Sequence, residues 1–191
     1  MSEYFDVLGY DRRPTGERKE RGSLYEEGKF RQVVHLCIFD DNGRMLLQRR
    51  ADDKPTWPGK WDVSVGGSVI AGESAAEGIA REAAEELGIT IDPARLRPAA
   101  SFSFPYGFDD WYLLSVPVDL AALAVPNEEV ADVRWATEAE VMALHAKGEF
   151  VTFRESALHL AFDLAGKRSI LDGGEQHLGT FDEALPHFSR P

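Results

Sequence analysis

The chain holds one cysteine, Cys37, in 191 residues, which excludes an internal disulfide and any zinc site built from cysteines. Positive charge is also scarce. Against 33 Asp and Glu there are 21 Lys and Arg, a net charge of −12. Sequence-independent nucleic-acid binding needs a basic footprint to neutralise phosphates, so this balance argues against it. No apolar run is long enough to span a membrane, and the opening MSEYFDVL lacks the basic and apolar regions of a signal peptide. A reducing, cytoplasmic setting is therefore expected, with neither nucleic acid nor membrane as partner. No internal repeat is present. Hydrophobic residues make up 43%, and the length suits a single domain with a proper core.

An acidic protein that handles phosphates needs metal ions or a local group of Lys and Arg. The N-terminal residues 1–30 read as a hairpin, with residues 10–21 as the turn between two edge strands. Its basic side chains fit a solvated loop better than a phosphate path. Residues 33–39 (VVHLCIF) form a nearly continuous apolar run, as for a strand covered on both faces. Asp40, Asp41, Asn42 and Gly43 mark a hairpin turn, and residues 44–50 return. His35 and Cys37 share one face of the first strand, where core packing is favoured over metal binding. Residues 51–59 form a loop broken by Pro55, Pro58 and Gly59, and 61–65 give a short strand. Arg49, Arg50, Lys54 and Lys60 supply the local counter-charge for a substrate, with Trp61 beside them. Trp57, Trp61, Phe104, Tyr106, Phe108 and Trp111 are expected to wall a base or an apolar chain beside the acidic site described next.

That site centres on residues 66–89, GGSVIAGESAAEGIAREAAEELGI. Ser74 and Glu77 form a capping box and Gly88 suits a left-handed C-terminal cap, which predicts a helix over 75–87 with Glu73 in the loop before it. At about 100° per residue, Glu82, Glu85 and Glu86 fall within roughly a third of the circumference. Ala76, Ile79, Ala80, Ala83 and Leu87 are then left to pack on the sheet. Such carboxylates repel one another at this spacing, and hard oxygen ligands suit Mg²⁺ or Mn²⁺. Solvated acidic helix faces are common, and three glutamates alone would favour that reading. The complete spacing Gly-x5-Glu-x7-Arg-Glu-x-x-Glu-Glu-x-Gly, starting at Gly67, overturns it.

This spacing resembles the Nudix box, in which a bulky aliphatic residue usually stands where this chain has Ala83. The resemblance implies an α/β/α sandwich around a mixed β-sheet and Mg²⁺-dependent hydrolysis of a nucleoside diphosphate linked to another group. It implies that Glu82, Glu85, Glu86 and the Gly66 carbonyl bind metal, and that Arg81 pairs with Glu73 to orient the carboxylates. Over residues 4–135 the chain is similar to the Nudix branch nearest isopentenyl-diphosphate isomerase. The isomerase needs a cysteine and two histidines where this chain has Gly66, Arg31 and Ser68, so a hydrolase is favoured. A catalytically silent ligand-binding module is the third reading, against which the intact box argues.

In the mechanism these residues support, water attacks phosphorus, and the general base is Glu82 or an acidic residue outside the box. The resemblance also implies a further acid at the metal site from the segment 127–129, Glu129 ahead of Glu128. Past the box, 99–104 and 111–118 read as strands, with Asp109 and Asp110 as a turn-stabilising pair. A strand over 130–135 and helices over 137–147 and 153–165 follow. The single domain is expected to span 1–166, with its core in 31–166. Residues 167–191 extend it as a dimer arm, a lid or a tail, which is compatible with a homodimer. The expected partner is a small-molecule diphosphate.

Overall fold

The computed structural model describes residues 3–167. Apart from its first residue, the expected 167–191 extension lies outside the described residues. The organising strand is β3 (Arg31–Phe39). Val34, Leu36 and Ile38 face one way and Cys37 and Phe39 the other, all buried, which is why the run is apolar throughout. Burial pushes the Cys37 thiol pKa up, so it is an inert core group.

β3 runs parallel to β8 (Gly107–Ser115) and antiparallel to β6 (Val65–Ser68), and β7 (Ala100–Phe104) pairs with β8 at the edge. β4 (Met45–Arg50) meets β3 only at Phe39 and Met45, then pairs with β9 (Val130–Ala136) and with the two-residue β5 (Trp61–Asp62). The sheet therefore forks: the chain pairs with β4 at 61–62 and crosses to β3 at 65. Ser64 spans the fork, its Oγ accepting from Ile38 N (2.8 Å) and donating to Leu46 O (2.6 Å).

Helices cover both faces. α1 (Ala75–Leu87) buries Ile79, Ala83 and Leu87 against Val34, Leu36 and Val65. α2 (Glu138–Ala146) and α3 (Glu155–Leu164) lay Val141, Leu144, Leu158 and Ala161 on Cys37, Phe39, Met45 and Leu47. Each large aliphatic side chain so buried contributes about 1.5–3 kcal/mol. The result is the expected α/β/α sandwich around a mixed sheet.

Two expectations need correction. Within residues 10–21 the first turn ends at 13, and 14–20 form a strand, β2 (Pro14–Glu20), paired with β1 (Tyr4–Leu8), with a second turn starting at Arg21. Its charges hide it because an exposed edge strand tolerates them, and Arg18 pairs across to Asp6 (3.1 Å). Second, β8 begins at Gly107, so Asp109 and Asp110 are strand residues pointing to opposite faces rather than a turn pair. Pro105 and Tyr106 alone make the turn, and a Cβ at Gly107 would lie 2.5 Å from the Arg31 carbonyl oxygen.

Candidate active site

The ends of α1 fix which residues face the sheet. Ser74 caps the first turn with Glu77 reaching back, and Gly88, at φ 74°, donates its N–H to the last turn. With the helix so registered, its buried positions are Gly78, Ile79, Glu82, Ala83, Glu86 and Leu87. This corrects the expected division of faces. Ala76 and Ala80 are only partly covered, while two of the three glutamates lie between helix and sheet. Glu85 stands apart, with 57% of its side chain exposed.

The sheet makes room for these carboxylates. A Cβ added to Gly67 would overlap the Glu82 carboxylate, so the helix can present Glu82 here only over a glycine. Glu86 Oε2 accepts from Gln48 Nε2 (2.9 Å) and from the Gly66 N–H (3.2 Å). Arg81 is the hub on the solvent side. Its Nε and Nη2 grip Glu73 at 2.9 and 3.2 Å, and Nη2 also donates to Ser68 O (2.9 Å). Its Nη1 reaches Glu85 (2.9 Å) and Glu82 (3.0 Å). Glu73 in turn accepts from Ile70 N, which braces the loop before the helix.

Burial makes ionisation of the inner carboxyls costly. Glu86 is pushed up to about 8, first by burial and then by the charge of Glu82. Burial also raises Glu82, against the pull of Arg81. Asp62 in β5 is likewise raised by burial, opposed by His35 and Arg50. Among the described residues, no three His, Cys, Asp or Glu side chains converge as a ready metal cluster. The carboxylates are engaged elsewhere: Arg81 takes Glu73, Glu82 and Glu85, while Gln48 and the Gly66 N–H occupy Glu86.

The basic residues sit near the site but are engaged in shaping the 51–60 loop. Arg49 donates to Gly59 O (3.1 Å) and Asp52 (2.6 Å), and Arg50 to Thr56 O (3.1 Å) and Asp62 (3.3 Å). Lys54 pairs with Glu129, whose carbonyl accepts from Ala51 N. Lys60 lies over the Trp57 ring at 4.9 Å, and Arg134 lies over Trp61 at 4.6 Å. The expected aromatic wall does not form. Trp61 and Trp111 belong to the apolar cluster under α2 and α3, on the sheet face opposite α1. Phe108 packs on Phe30, Phe104 takes Arg31, and Tyr106 and Trp57 are exposed.

Several residues here escaped the sequence reading. Gln48 is a polar residue in the buried stretch 45–48 of β4, a signal that a buried partner must exist. Asn127 ties α1 to β9: its amide donates to Glu86 O (2.9 Å), and its Oδ1 accepts from the N–H groups of Glu129 and Val130. Glu129 is thereby held beside the inner carboxylates, where its charge helps raise Glu82. Asp109 bonds His35 through Nδ1 (2.7 Å), a pairing across 74 residues that no local pattern announces.

A NUDIX domain model matches residues 29–156. Over 151 residues the chain is 40% identical to an uncharacterized Nudix hydrolase of Listeria monocytogenes, covering 79% of this chain and 89% of that protein. It is also 40% identical, over only 91 residues, to an isopentenyl-diphosphate Delta-isomerase of Leifsonia xyli, covering 47% of this chain and 49% of that one. A crystal structure of a Deinococcus radiodurans protein superposes with a TM-score of 0.70 at 27% identity, covering 83% of this chain and 99% of the other.

Proposed function

The chain belongs to the Nudix hydrolase family, and from that premise we propose that it cleaves the diphosphate linkage of a nucleoside diphosphate or related organic diphosphate, using Mg²⁺ or Mn²⁺. The observation that carries the proposal is the buried pair Glu82 and Glu86, one helical turn apart against Gly66 and Gly67, with no lysine or arginine other than Arg81 bonded to it among the described residues. Two such carboxylates resist ionising together. A hard divalent cation removes that cost, and the donor set is all oxygen, so the residues fit it.

In this reading Glu82, Glu85, Glu86 and the Gly66 carbonyl hold the metal, once Glu85 exchanges its contact with Arg81 for the ion. The bound cation would polarise the diphosphate and make a water more acidic. Arg81, fixed by Glu73, keeps Glu82 at its place over Gly67. Glu129 takes the proton from the attacking water as oxygen bonds to phosphorus, and the anhydride P–O bond breaks towards the departing phosphate. Lys54 and Arg50 neutralise that oxygen, Lys54 by turning from Glu129. Arg49, Lys60 and Trp61 hold the loop and strand that carry these cations.

Isomerisation of a prenyl diphosphate has a second obstacle beyond the absent cysteine. A Cβ at position 66 would lie 2.7 Å from the His35 ring, so even the smallest side chain there meets the imidazole. The test is phosphate release from a panel of nucleoside and organic diphosphates, with Mg²⁺ and with EDTA. Turnover that needs metal and is lost in Glu86→Gln supports the proposal; no turnover on any member, or turnover indifferent to Glu86→Gln, refutes it.

A further inference from the structure

Among the described residues, each inner carboxylate is held by one oxygen. Glu82 Oε1 takes Arg81 Nη1 at 3.0 Å. Glu86 Oε2 takes Gln48 Nε2 at 2.9 Å and the Gly66 N–H at 3.2 Å. Nothing among the described residues bonds Glu86 Oε1, although Glu86 is only 3% exposed, and this oxygen is not one of the polar atoms sealed from solvent. One oxygen is therefore committed to the protein and the other stays open.

The residue that commits it is set rigidly. Gln48 is 1% exposed, and β4 at this point is paired with Asp62 of β5 on one side and Val133 of β9 on the other. Leu46, two residues earlier on the same face, lies in the apolar cluster under α1. An amide in such surroundings costs free energy unless it is bonded, and the side-chain bond it makes goes to Glu86. The Gly66 N–H can only donate, so Oε2 is an acceptor and Gln48 presents its nitrogen. Arg81 and Gln48 differ in charge. The guanidinium offsets the charge of the carboxylate it holds, whereas the neutral amide fixes Glu86 in place and leaves its charge for a cation.

We propose that Gln48 is a positioning residue for the divalent ion: by tying down Oε2, it leaves Oε1 as the oxygen that Glu86 offers to the metal. Gln48 does not itself touch the ion. The inference rests on the metal-dependent hydrolase reading above, and adds to it a residue 38 positions before the ligand it directs.

Binding of Mn²⁺ alone to the full chain, followed by titration calorimetry without substrate, tests it. Gln48→Met keeps an apolar side chain of similar length and removes the donor. It should raise the Mn²⁺ Kd about 10- to 100-fold, the loss of one hydrogen bond to a charged group. In a Glu86→Gln background, where the directed carboxylate is gone, the same substitution should change the Kd by less than about threefold. An equal loss in both backgrounds marks a packing role and overturns the proposal, as does an unchanged Kd in Gln48→Met alone. If Gln48→Met does not fold, or Glu86→Gln binds Mn²⁺ too weakly to measure, ¹⁵N-labelled glutamine in the wild type gives the answer. Linkage is reciprocal, so a bond that favours the metal is favoured by it. Mg²⁺ should slow solvent exchange of the Gln48 side-chain amide protons at least about threefold; unchanged or faster exchange overturns the proposal. Wild type that binds no Mn²⁺ refutes the metal reading and this inference together. Coupled Mn²⁺ binding with no diphosphate hydrolysed refutes the hydrolase reading alone, because the Kd is read without turnover.

Discussion

Glu86→Gln is expected to stabilise the metal-free protein at pH 8 while abolishing turnover. Glu86 is 3% exposed, and burial with the neighbouring charge of Glu82 pushes its pKa up to about 8. In the unfolded chain it titrates near its ordinary 4.5. Below that value both states are protonated and the group contributes nothing to the pH dependence. Above it the unfolded chain gives up the proton first, so the folded state binds more protons and its stability falls as pH rises. The fall runs from about pH 4.5 to about pH 8 and then levels. At about 1.36 kcal/mol per pH unit the full penalty approaches 5 kcal/mol, an upper bound, since local relaxation and water reduce it. The glutamine escapes that penalty and its carbonyl still accepts from Gln48 and Gly66. Urea melts of wild type and Glu86→Gln in EDTA, from pH 5 to pH 9, measure the difference. The curves should converge near pH 5 and diverge by a few kcal/mol at pH 8, with the variant the more stable. Added Mg²⁺ should then recover stability in the wild type far more than in the variant. A wild-type curve that stays parallel to the variant's across this range would refute the reasoning.

Gly67→Ala places a methyl group where the Glu82 carboxylate lies; kcat/KM should fall at least about 100-fold, a cost near 2.7 kcal/mol or more, while circular dichroism keeps the native signal. Arg12→Ala strips the guanidinium from Asp110, which is 3% exposed and otherwise bonded by Ser101 Oγ. Because Arg12 is itself part-exposed, the loss should be about 1–3 kcal/mol, and a urea double-mutant cycle with Asp110→Asn should recover most of it as coupling.

Features announced by local chemistry were legible in the sequence. The Ser74 and Glu77 capping box, Gly88, and the turn at Asp40 to Gly43 place α1 and the β3–β4 connection within a residue or so, because each is satisfied by atoms nearby in the chain. Features that depend on distant partners were not. A helical wheel puts Glu85 beside Glu82 and Glu86, but only the docked helix shows that two enter the interface and one stays at its solvent edge, on Arg81. Asp109 and Asp110 look like turn residues until His35 and Arg12, 74 and 98 residues away, are seen to claim them. The charged strand β2 fails the apolar alternation test because its faces are largely solvated.

The N-terminal hairpin is stitched to the loop that leads into α1. Tyr4 O accepts from Ala71 N (2.7 Å), and Asp6 Oδ2 accepts from Gly72 N (2.7 Å) while its other oxygen takes Arg18. Glu73, which clasps Arg81, follows at once. The hairpin is thus a tension member for the loop before α1, anchored at its far turn by Arg12 on Asp110. Engineering that treats this strap as disposable, whether by trimming it or by loading it with a rigid fusion, pulls on the seat of Arg81 as surely as a substitution beside it.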